Sequence, residues 1–179
     1  MNKKIILLIF LCVSLFFIFF PQVAYLNITH FTDITLEDMI ERSGYILVVT
    51  KQSPFETRKK IKIHPDTKKY PPFEHAVFHF QVKEELYSKD KTSLRDKKID
   101  VLPPDLADRL DLYKRYHLEG VSKSPIYLNY QTKVDFYKSK EMIIFLSKKE
   151  NEHYLMTVNG GYEKLSKKKK IYKLIKKLK

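Results

Sequence analysis

Two histidines, His75 and His79, stand four residues apart in the stretch HAVFHFQ, and paired imidazoles are a common beginning of a metal site. Around them Ala76, Phe78, Phe80 and Val82 alternate with His75, Val77, His79, Gln81 and Lys83. That period of two is a strand, with both rings on one face but about 13 Å apart, too far to share an ion. His30, His64, His117 and His153 are scattered with no ligand spacing. No metal site and no cofactor is expected.

Nucleophilic and acid–base chemistry has as little to start from. Asp105, Asp108 and Asp111 drift round a helix among Arg109, Lys114 and Arg115, the pattern of a solvated charged face. Gly160-Gly161 lacks the further glycines and the Lys-Ser/Thr of a phosphate loop, and no Gly-x-Ser-x-Gly occurs. Cys12, the single cysteine, sits in the apolar N-terminus, so the rest of the chain has no disulfide, thiolate zinc site or cysteine nucleophile. No catalytic residue is expected, and the chain reads as a non-enzyme. A hydrolase with an unrecognised site is the alternative from that class. Tyr113, Tyr116, Tyr127, Tyr130, Phe136 and Tyr137 crowd into one third of the chain. Such rings either cover the end of a barrel or stack bases or sugars.

The chemistry that remains is electrostatic. The net charge is +13, but residues 25–163 hold 23 bases against 21 acids, only +2, while residues 164–179 hold nine lysines. The 29 lysines outnumber the 5 arginines, which disfavours nucleic acid, since base and phosphate recognition leans on the arginine fork. In the closing stretch LSKKKKIYKLIKKLK, Ile171, Leu174, Ile175 and Leu178 fall at i, i+3, i+4 and i+7, one stripe of a helix with Ser166 as its N-cap. Lys167, Lys168, Lys169, Lys170, Lys173, Lys176 and Lys177 occupy the rest. So short a helix is marginal alone in water. The stripe is expected to dock on the body while the lysines face an anionic lipid or wall polymer.

The elements that would position these residues follow from pattern. Asn2-Lys3-Lys4, the uncharged run Ile5–Phe20 and the break PQVAY form an export signal. Extended to Leu26 the run approaches the roughly 20 residues that span a bilayer. Cleavage after Ala24 and retention as a membrane anchor both remain open; either way the domain is expected outside the cytoplasm. Thr35 with Asp38 predicts a capped helix ending at Ser43-Gly44, and YILVVTK a buried strand. Lys51–Pro72 reads as a long loop or an irregular hairpin arm. Strands follow in HAVFHFQVKEEL and IDVLP, then a helix in DLADRLDLYKRYHLEG and a loop through VSKSPIYLNYQTKVDFYKSK. EMIIFL and HYLMTV make a hairpin before the turn Asn159-Gly160-Gly161.

The succession TLEDMIERSG, YILVVTK, HAVFHFQVKEEL, KIDVLPP and the closing KSKEMIIFLSKKENEHYLMTVNGGYEKLSKK resembles a broad group of small exported bacterial proteins of unknown function. Their layout is similar to the OB-like barrel of netrin and metalloproteinase-inhibitor domains. The resemblance covers roughly residues 33–170. The inhibitors' cysteine-bearing N-terminus is absent, so no functional residue carries over. The expected fold class is mainly β (α+β): a small OB-like barrel with a short N-terminal helix, one inserted helix and a C-terminal basic amphipathic helix. The expected organisation is 1–24 signal peptide or anchor, 25–163 OB-like domain and 164–179 lysine-rich helix. The expected function is a non-catalytic binding or structural module of a bacterial envelope, with a secreted inhibitor or other protein-interaction module as the alternative.

Overall fold

The computed structural model describes residues 30–62, 66, 68, 72–90, 93–102, 126–150 and 152–178. The apolar N-terminus, the helix expected at 105–120, and Tyr113 and Tyr116 lie outside the described residues. Among the described residues the chain is mainly β with two α-helices. Its elements are β1 (His30–Asp33), α1 (Leu36–Arg42), β2 (Tyr45–Ile61), β3 (Phe73–Ser88) and β4 (Lys98–Leu102). After them come β5 (Ile126–Asn129), β6 (Glu141–Glu150), β7 (His153–Met156), β8 (Tyr162–Glu163) and a 3-10 turn (Leu165–Lys167) that leads into α2 (Lys168–Leu178).

Ile46, Leu47, Val48 and Val49 are all buried because β2 has protein on both faces. Tyr45, Leu47 and Val49 face inward with Phe78, Phe80 and Val82 of β3, Ile99 and Val101 of β4, Met142, Ile144 and Leu146 of β6, and Tyr154 and Met156 of β7. Ile46 and Val48 face outward with Ile143 and Phe145, and there meet Leu36, Met39 and Ile40 of α1 and Ile171 and Ile175 of α2. A strand enclosed on both sides reads as an unbroken aliphatic run, whereas β3 alternates, its outer face carrying His79, Gln81 and Lys83 beyond Val77, which is buried with Ile61, Leu102 and Leu155.

The sheet is ring-like. β2 pairs with β3, β3 with β4, β4 with β7, β7 with β6, and β6 returns to β2. Of these five pairings only β4–β7 is parallel, through Val101 opposite Tyr154 and Leu102 opposite Leu155. β8 lies antiparallel along β6, and β1 and β5 form a separate parallel pair. α1 carries the capping box its sequence announces: Asp38 N donates to Thr35 Oγ1 at 3.1 Å and Thr35 N to Asp38 Oδ2 at 3.0 Å.

Of the two readings of Lys51–Pro72, the irregular hairpin arm describes the segment to Ile61, where β2 continues against β3, and two other local expectations are corrected. The ladder is interrupted where Lys51 faces Phe80 and Glu56 faces Phe78, so four residues of β2 oppose one of β3. This bulge accommodates Pro54, which has no N–H for a ladder. It also turns Phe55 onto Phe78, stacked at 4.9 Å, and against Phe136 at 5.6 Å. The stretch 121–140, read as loop, contains β5, which gains hydrogen bonds by pairing with β1. Ser166 does not cap α2; the helix is entered through the 3-10 turn from Lys164, with no side-chain cap.

A cationic helix face and a histidine row

α2 is held by its apolar stripe. Ile171 is fully enclosed and Ile175 nearly so, with Leu174 and Leu178 half-buried beside them. Each fully buried isoleucine contributes about 1.5–3 kcal/mol. The stripe packs on α1 and the outer face of β6, which leaves the lysines on the far side.

The seven lysines singled out in the sequence divide into two groups. Lys169, Lys170, Lys173, Lys176 and Lys177 are exposed. Lys167 and Lys168 are partly covered: Lys167 Nζ lies 3.8 Å from Glu163 Oε2, and Lys168 pairs with Glu84 of β3. Cations at a helix N-terminus meet an unfavourable dipole. Glu163 offsets this, since its buried carboxylate accepts Lys164 N at 3.1 Å and the Tyr130 hydroxyl at 3.2 Å while facing Lys167. Burial, followed by the Glu163 charge and hydrogen bond, pushes the Tyr130 phenol up to about 12. Among the described residues no helix is long and apolar enough to cross a membrane.

A second arrangement lies on the outer face of β2, β3, β4 and β7. His79 Nδ1 is 2.6 Å from Asp100 Oδ1, and His79 Nε2 is 2.7 Å from Thr57 Oγ1. Lys59 Nζ donates to Asp100 Oδ2 at 2.5 Å. Register makes the row: His79 faces Asp100 across β3–β4, and the parallel β4–β7 ladder sets His153 alongside Asp100. Burial alone would raise the Asp100 carboxyl, but the hydrogen bonds from Lys59 and His79 outweigh it and hold it below the ordinary carboxylate value. Burial lowers His153, the Lys59 charge adds to this, and its Nε2 is enclosed with no hydrogen-bond partner among the described residues.

Beside the row, the β2 bulge leaves an open cleft of about 230 Å³ lined by Gln52, Ser53, Pro54, His79, Lys98 and Asp100. Hydroxyl, imidazole and carboxylate stand in the order of a nucleophile relay. Thr57 does not line the cleft, however, so its hydroxyl is not the group a molecule bound there would meet. Both imidazole nitrogens are engaged within the row, which ties β2, β3 and β4 together. Sequence spacing missed this row because His79 and Asp100 are 21 residues apart and meet only through strand register. The alternation that put His79 on the polar face was the one available signal. No cluster of His, Cys, Asp and Glu among the described residues has the makings of a metal site. The chain matches no known protein family, no curated protein and no solved structure.

Proposed function

We propose that this is a non-catalytic exported envelope protein in which an OB-like β-ring presents a cationic helix face to an anionic surface. The observation that carries the reading is the docking of α2 by Ile171 and Ile175, which leaves Lys169, Lys170, Lys173, Lys176 and Lys177 exposed together. A free arm would lose conformational entropy on binding, whereas a docked helix has already lost it. Each lysine near a charged bilayer is worth about 1 kcal/mol, so the attraction fades with salt. The OB-like reading is supported by five strands whose pairings run in a cycle with one parallel contact. The basic N-terminus and apolar run support export.

The test is co-sedimentation with phosphatidylglycerol and phosphatidylcholine vesicles at low and high salt. The protein is expected to pellet with the anionic vesicles at low salt, and the variant carrying glutamine at all five positions is not. Equal sedimentation with both lipids, or of both proteins, overturns the electrostatic reading.

A further inference from the structure

Tyr137 stands out among the apolar side chains of the described residues because 68% of it is exposed. Its position is nevertheless tightly determined. The Asp135 carboxylate accepts Tyr137 N and Lys138 N, both at 3.0 Å, and Ser139 N donates to Asp135 O at 2.9 Å. From β2, Lys51 Nζ donates to Tyr137 O at 2.6 Å and lies 4.1 Å from the centre of the Phe55 ring. The tyrosine ring is backed edge-on by Phe136 at 5.6 Å, Phe78 at 6.0 Å and Phe55 at 6.5 Å. Its inner edge is seated on the aromatic end of the core and its outer side faces solvent. An aromatic ring held this rigidly loses little entropy when a partner covers it, the condition that makes tyrosine an anchor in recognition surfaces.

The charge around the turn indicates the partner. Lys133, Lys138 and Lys140 are exposed within four residues of Tyr137, against two acids, Asp135 and Glu141. Asp135 accepts the two backbone amides and faces Lys138 Nζ at 3.4 Å, so the balance of the turn stays cationic through Lys133 and Lys140. The apolar face of a pyranose ring covers a tyrosine, and carboxylates on the same chain meet the lysines. Single-stranded nucleic acid fits less well. It stacks successive bases on several aromatics and favours arginine, and this turn offers one exposed ring and only lysines.

We propose that the Tyr137 turn is a carbohydrate-stacking site for an acidic polysaccharide, separate from the lysine face of α2. The test is affinity electrophoresis of the full chain through gels containing polygalacturonate, dextran or oligo(dT). Polygalacturonate is expected to retard the protein and neutral dextran is not. Tyr137→Ala should weaken the retardation about tenfold, the scale of one lost aromatic contact, while Tyr137→Phe retains it. Because the ring is exposed, thermal midpoints of both variants serve as folding controls. The variant lacking the five α2 lysines is expected to keep the Tyr137-dependent part, which separates this site from the vesicle-binding face. Three results would overturn the proposal: no retardation by polygalacturonate, equal retardation of Tyr137→Ala and the parent, or stronger retardation by oligo(dT).

Discussion

Replacing Ile171 by alanine tests directly whether the C-terminal helix belongs to the fold. Ile171 is fully enclosed against α1 and the outer face of β6, so truncation leaves a cavity as well as losing burial. Isoleucine-to-alanine changes in such sites cost about 2–5 kcal/mol. In a chain of this length each kcal/mol moves the thermal midpoint by about 2–4 °C. A fall of about 10 °C is therefore expected for Ile171→Ala, and a smaller one for Ile175→Ala, which keeps 7% of its surface exposed. Lys173→Ala, on the exposed side of the same helix, is the control and should stay within about 0.5 kcal/mol. Circular dichroism on heating gives the midpoints. Urea titration at fixed temperature checks that the transition slope is unchanged, so that stability alone has moved. If Ile171→Ala and Lys173→Ala melt together, the stripe is not packed, and the docked-helix reasoning behind the lysine face fails with it.

The remaining predictions concern the histidine row and one turn. Burial favours neutral His153, so its folded pKa lies below the unfolded 6.5. Its contribution is complete above that pH and is lost as pH falls through the folded value. His153→Phe should therefore flatten the loss of stability as the pH falls below 6.5 without lowering the midpoint at pH 8, and an unaltered acid limb in melts would refute this. Asp100→Asn leaves Lys59 and His79 without their carboxylate. Since 42% of Lys59 and 29% of Asp100 is exposed, solvent screening limits the cost to about 1 kcal/mol, read as faster amide exchange in residues 57–61 than in 45–50. Tyr130 is held neutral up to about 12, so its contribution is full below pH 10 and lost as pH rises from 10 toward 12. Tyr130→Phe should lessen the alkaline destabilisation, as followed by far-ultraviolet dichroism. Gly160 has φ +72°, and a Cβ there would meet Tyr130 O at 2.3 Å. Gly160→Ala should cost at least the roughly 1–3 kcal/mol of a left-handed non-glycine residue, measured as a urea midpoint.

Elements whose signal is local were legible in the sequence. The Thr35–Asp38 box, the run Ile46–Val49, the alternation Phe78–Phe80–Val82 and the stripe through Ile171 and Ile175 each carry their period in a few residues. Elements that depend on a distant partner were not. β2 beyond Lys51 is polar and contains Pro54, and the bulge resets its phase so that Thr57 and Lys59 join the His79 face. β5 is four residues whose ladder partner, β1, lies nearly a hundred positions earlier. The return of β6 onto β2 and the contact of β4 with β7 are invisible to any window, and with them the neighbourhood of His79, Asp100 and His153. The cationic face was half legible. Helical periodicity puts Lys169, Lys170, Lys173, Lys176 and Lys177 away from the stripe, while Lys167 and Lys168, four and three residues before Ile171, fall on its side, and the pairing of Lys168 with Glu84 needs β3 alongside the helix.

The cyclic sheet also constrains when this chain can fold. Val49 finds its partner Met142 more than ninety residues later, and the free side of β4 waits for Tyr154 and Leu155. Contacts so remote along the chain are slow to form, because loop-closure entropy is spent before they reward it. A nascent chain that stops short of residue 141 can zip up the β2–β3–β4 meander but keeps open edges on both flanks, with Val49, Phe80 and Val101 uncovered. Such an intermediate is the species a holding chaperone would grip, and its release waits on the last quarter of the polypeptide.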